Sequence, residues 1–76
     1  MQRYRIWYIE GPNLDLKKSR ERVVEADSFA EALRPYTNWP VVENYDHTTA
    51  SAWNPGTCMY YQELWEAKLL QGADEG

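Results

Sequence analysis

Chemistry in this chain would have to begin at His47, the only histidine, and Cys58, the only cysteine. Asp46 precedes His47, and Thr48, Thr49 and Ser51 follow it. An imidazole base beside a hydroxyl nucleophile is therefore the first arrangement to weigh. Such assemblies are built in space, and adjacent residues on a strand point to opposite faces. No glycine-rich oxyanion loop accompanies the histidine, so its expected role is that of a strand-end or turn residue. Cys58 would be the other nucleophile. Nothing basic lies near it in sequence to lower its pKa, and free cysteine behaves as a small buried hydrophobe. Packing is its expected role.

The carboxylate pairs Glu63/Glu66 and Glu43/Asp46 have spacings used by general acids and bases and by metal sites. No second histidine completes a transition-metal site, and no calcium-loop pattern is present. Solvated faces are the plainer reading of both pairs. The four glycines stand at 11, 56, 72 and 76, too dispersed for a phosphate cradle, a P-loop or a nucleophile elbow. The chain is accordingly read as non-enzymatic, with no cofactor and no metal.

The elements that would position these residues come next. Seventy-six residues allow one domain, expected over residues 1–72 with a frayed acidic tail at 73–76. A lone cysteine excludes an intrachain disulfide, which suits a reducing, cytoplasmic setting. No segment approaches the ~20 apolar residues that cross a bilayer, and the N-terminal run is too short and too interrupted for a signal peptide. Aromatics are abundant, with four Trp, six Tyr and one Phe. A domain this small builds its core from few large pieces and cannot hide them all.

Residues 3–10 alternate and are rich in aromatic and β-branched types, which predicts a strand. Tyr4, Ile6 and Tyr8 would line one face, and Arg3, Arg5, Trp7 and Ile9 the other. Gly11-Pro12-Asn13 ends it, and residues 19–26 return as the second arm of a long hairpin. Ser28-Phe29-Ala30-Glu31 matches a capping box. Phe29, Ala32, Leu33 and Tyr36 then form one apolar stripe, giving a short helix at about 28–35 that covers a sheet face. Strand character resumes at 41–47, more weakly at 48–53, and at 58–61 after the Asn54-Pro55-Gly56-Thr57 turn. Residues 62–70 fit a period of 2 as well as a helical stripe. A strand through about residue 65 followed by helix, capped at Gly72, is the expected compromise. The sum is an α+β domain, β-β-α-β-β, with an antiparallel sheet of about four strands and one helix on a face.

What remains is surface. The net charge is −4, and its sign is unevenly spread. Six of the eight bases precede residue 23, and from Glu43 onward Lys68 stands alone against six acids. Arg3, Arg5, Arg20 and Arg22, interleaved with Tyr4, Trp7 and Tyr8, could form a basic aromatic patch on the hairpin, as RNA-binding sheets use for stacking. The plainer alternative is cross-strand packing with solvated Arg–Glu pairs. In the other half, Glu43, Tyr45, Asp46, Trp53, Glu63, Trp65 and Glu66 offer acid with aromatic anchors, which suits a protein interface. An acidic patch would steer toward a basic, nucleic-acid-binding partner surface. Edge strands and spare aromatics are also compatible with a homodimer.

The Val24-Glu25-Ala26-Asp27-Ser28-Phe29-Ala30-Glu31-Ala32-Leu33 strand-to-helix junction resembles those of small phage and mobile-element proteins. Among these, anti-CRISPR proteins are similar in type: tiny, often acidic, single α+β domains. That resemblance implies a protein that inhibits or modulates a larger host protein or ribonucleoprotein complex by occupying a nucleic-acid or nuclease-docking surface. It carries over no individual contact residue.

Overall fold

A computed structural model describes residues 1–56 and 60–70 of the chain. The expected Cys58 packing role, the Gly72 cap and the tail at 73–76 lie outside those residues. The described residues form five strands and one short helix: β1 (Gln2–Pro12), β2 (Lys17–Ala26), α1 (Phe29–Leu33), β3 (Val41–Glu43), β4 (Thr49–Trp53) and β5 (Tyr61–Leu70). All pair antiparallel in one sheet, in the order β2-β1-β5-β4-β3. The molecule measures 37 × 23 × 23 Å. The 11 residues of β1, at ~3.4 Å each, span about that long dimension, so β1 runs the length of the protein.

The alternation expected in β1 is present. Tyr4, Ile6 and Tyr8 are buried, together with their cross-strand neighbours Ala67 and Trp65 on β5 and Ala50 and Ala52 on β4. Over these lie Phe29, Ala32 and Leu33 of α1, with Tyr36 and Trp39 at the margin. The three alanines on the inner strands leave room for the large side chains of the helix. The helix starts as the sequence indicates. Ser28 Oγ accepts the Glu31 amide at 3.2 Å, and the Asp27 amide donates back to the Glu31 carboxylate at 3.3 Å. Its regular part, Phe29–Leu33, is shorter than 28–35; Pro35 has no amide to continue the ladder, and the Tyr36 and Thr37 amides both turn to the Leu33 carbonyl.

Two expectations are corrected. The sheet has five strands rather than about four, so the domain is mostly sheet and the α+β description fits only roughly. The C-terminal segment stays extended to Leu70 rather than turning helical after residue 65. Helix propensity there is overridden by pairing on both sides: Ala67 faces Ile6 on one side and Ala50 on the other. A helix would withdraw Trp65, Ala67 and Leu69 from the core.

Among the described residues, no helix lies on the second face of the sheet. In register across it stand Arg3, Arg5, Trp7 and Ile9 of β1, Leu64, Glu66, Lys68 and Leu70 of β5, and Thr49, Ser51 and Trp53 of β4. Leu64 is only 2% exposed although it lies outside the helix-side core. Its register partners Ile9 and Trp53 flank it on either side. The edges are blunted. β3 has three residues, and β2 carries charge along its length with a bulge opposite Trp7, where Arg20 adopts φ 57°. Charge and bulges on an edge discourage strand addition.

Candidate functional site

The β1–β2 turn and the entry to β5 lie side by side at one end of the long axis. Gly11 makes the first turn possible. Its φ is +138°, and a Cβ there would approach the Asp15 carbonyl oxygen to 2.6 Å. The Asp15 amide closes the turn on the Pro12 carbonyl, and the Asn13 amide donates to the Tyr60 carbonyl at 3.2 Å. This stitching places four apolar side chains at one end with little cover. Leu14 is fully exposed, Tyr60 is 74% exposed, and Leu16 and Tyr61 are each 43% exposed. Scattered exposed hydrophobics are normal; here four lie on the two neighbouring segments of one end.

Next to them, Glu10 of β1 faces Glu63 of β5 in register. Tyr8 Oη lies 3.2 Å from Glu63 and 3.4 Å from Glu10. Tyr61 Oη donates to Glu10 at 3.4 Å, and Asn54 Nδ2 to Glu63 at 3.4 Å. Burial, then the Glu10 charge, then the hydrogen bond to Glu63 push the Tyr8 hydroxyl up to about 12. The Glu10 charge is also the main reason that the Tyr61 hydroxyl is raised. Glu10 carries no signal in the sequence. It sits in the basic half, and only the pairing of the first strand with the last brings it to Glu63.

The seven residues of the expected acidic aromatic surface do not form one patch. Trp65 is buried beneath the helix, 5% exposed, tilted against Tyr8 and Tyr36 at 5.3 Å from each. Glu63 and Glu66 are three apart on a strand and therefore leave opposite faces. Glu63 joins Glu10, whereas Glu66 accepts the Trp7 indole N–H at 2.9 Å on the helix-free face, which it shares with Trp53. Glu43, Tyr45 and Asp46 cluster at the β3–β4 turn. Asp46 Oδ1 accepts the Thr48 amide at 3.0 Å, and this bond holds its carboxyl below the usual range. Tyr45 stands almost wholly in solvent.

His47 occupies the same turn, as expected of it, with φ 59° and Nδ1 3.7 Å from Glu43. An open cleft of about 440 Å³ lies beside it, lined by Tyr4, Asp27, Phe29, Glu43, His47 and Leu69 among others. Burial first, and then the charges of Glu43, Asp27 and Glu31, raise the Tyr4 hydroxyl there. No group of three or more His, Cys, Asp or Glu among the described residues is placed to hold a metal ion. No helix among them is long and apolar enough to cross a membrane.

The basic aromatic patch divides as well. Arg3, Arg5 and Trp7 share the helix-free face. Arg20 and Arg22 lie over Tyr8 and Tyr36 on the helix side, at 5.1 and 5.2 Å from the ring centroids. Tyr4 and Tyr8 are buried. On the open face Arg5 pairs with Glu21 at 3.0 Å, and the Lys18 ammonium stands 4.3 Å above the Trp7 ring. A base stacking on the ring face that Lys18 covers would have to displace that lysine.

Comparison with known proteins finds no matching family model, no matching curated protein and no matching solved structure.

Proposed function

We propose that this protein works by binding, docking the end built from Leu14, Leu16, Tyr60 and Tyr61 onto a larger partner and modulating it. The observation that carries this reading is the exposure of those four side chains at one end of a small domain. A domain short of core would gain from burying them, and tyrosine is among the preferred anchors of protein interfaces. The adjacent Glu10 and Glu63 make the surface acidic, which supports a basic partner surface of the sort that binds nucleic acid. Occupying such a surface would inhibit the complex that uses it, as the resemblance to anti-CRISPR proteins implies. Of the seven residues expected from the sequence to bind, Glu63 belongs to this end.

The test compares the wild-type protein with the double variant Leu14→Ser/Tyr60→Ser as bait in a lysate, with Val42→Ser as an exposed control remote from the end. A partner retained by the wild type and the control but lost from the double variant is the expected result. Equal retention by all three would remove this end from consideration.

A further inference from the structure

Glu10 and Glu63 are register partners, so two like charges oppose each other on neighbouring strands, an arrangement that destabilises a sheet. What holds them is neutral. Their partners are the hydroxyls of Tyr8 and Tyr61 and the amide of Asn54, all at 3.2–3.4 Å. A phenol carries one proton, so Tyr8 satisfies one of the two carboxylates at a time. Neither carboxylate has an ion pair among the described residues. Lys17 is the register partner of Glu10 on β2, yet it turns its ammonium 3.6 Å from Asp15 instead.

We infer that the Glu10–Glu63 pair is the slot for a lysine or arginine side chain of a partner polypeptide, whose neighbouring apolar residues rest on Leu14, Leu16, Tyr60 and Tyr61. The inference rests on the binding reading above and names the chemistry of the partner. Charge decides the occupant. A cation beside the two carboxylates would offset their opposition and add charge-assisted bonds to the neutral ones they accept from Tyr8, Tyr61 and Asn54. A nucleic acid would bring phosphates against the same two charges. A second copy of this chain, docked about a two-fold axis on this end, would bring its own Glu10 and Glu63 to the same place, and each chain already carries −4. A basic segment with apolar flanks matches both the charge and the rim.

The experiment titrates the labelled full chain, followed by its amide resonances, with acetyl-Leu-Arg-Leu-amide to millimolar concentration. Acetyl-Leu-citrulline-Leu-amide, which keeps the shape and loses the charge, is the comparison probe. Wild type, Glu10→Gln, Glu63→Gln and the opposite-end control Glu43→Gln are compared, and the melting temperature of each free protein is recorded. The arginine peptide is expected to shift the amides of Glu10, Asn54 and Glu63 in wild type and Glu43→Gln. Either slot variant should weaken it about tenfold, and both should melt above the wild type because the opposed charge is gone. That pairing of lost affinity with gained stability separates a binding slot from a structural pair, whose loss would lower the melting point.

Equal shifts from both peptides, confined to Leu14 and Tyr60, would overturn the slot and leave the docking end standing. No shift from either would end both readings. Shifts of the same amides with protein concentration alone would place a second copy there and overturn the slot.

Discussion

Tyr8 is the residue on which most of the local electrostatics meets. Its ring lies in the core against Trp65, and its hydroxyl reaches the Glu10–Glu63 pair. Because the folded pKa is raised to about 12 from 10, the folded state holds this proton more tightly than the unfolded chain does. The sign follows from linkage: the stabilisation is complete below pH 10 and is lost as pH rises from 10 through about 12. Urea midpoints measured across that window should fall, and they should fall less in Glu63→Gln. A phenolate absorbance titration checks the cause. Glu10→Gln or Glu63→Gln should bring the Tyr8 transition down while leaving it above 10, since burial is the largest contributor and survives either change. Glu10 itself was illegible in the sequence, where it reads as the polar end of a strand in the basic half. Its partner lies at the other end of the chain, and no local pattern announces a contact between first and last strands.

At the scale of elements, what was legible was local. The alternation of β1, the hairpin to β2 and the capping box before α1 each depend on residues a few positions apart, and each is present. Ser28→Ala removes the acceptor for the Glu31 amide and should cost about 1 kcal/mol, read as a lower urea midpoint. Gly11→Ala should cost more, on the order of 1–3 kcal/mol. The backbone there is one that L residues rarely adopt, and the new Cβ would meet the Asp15 carbonyl. A Gly11→Ala protein that melts with the wild type would mean that the β1–β2 turn takes another shape. The fate of residues 66–70 was not legible, because Leu64-Trp65-Glu66-Ala67-Lys68-Leu69-Leu70 suits either periodicity. Pairing with both β1 and β4 decides it, and that is tertiary. Ile6→Ala would leave a cavity between Ala67 and the helix layer at a site with no exposure. It should destabilise the fold by roughly 2–5 kcal/mol, measured by equilibrium unfolding.

At the scale of the molecule, the described residues fill one sheet face with a short helix and its following turn, and the other face carries mixed charge around Leu64, Trp7 and Trp53. The expected acidic and basic surfaces were inferred from their places along the chain. Sheet alternation sends Glu63 and Glu66 to opposite faces, takes Trp65 inside, and parts Arg5 from Arg22. What the pairing gathers instead, at one end of the long axis, is exposed apolar surface beside two carboxylates whose partners among the described residues are neutral. The most direct measurement installs a photo-crosslinking amino acid at position 60, at position 45 in the opposite turn, and at position 42 on the open face. Each variant is irradiated in the cells that encode the protein. A discrete protein adduct from position 60, mapped to a Lys- or Arg-bearing surface and absent from positions 45 and 42, is the predicted result. Adducts arising only from position 45 or 42, or adducts to nucleic acid, would contradict docking through this end.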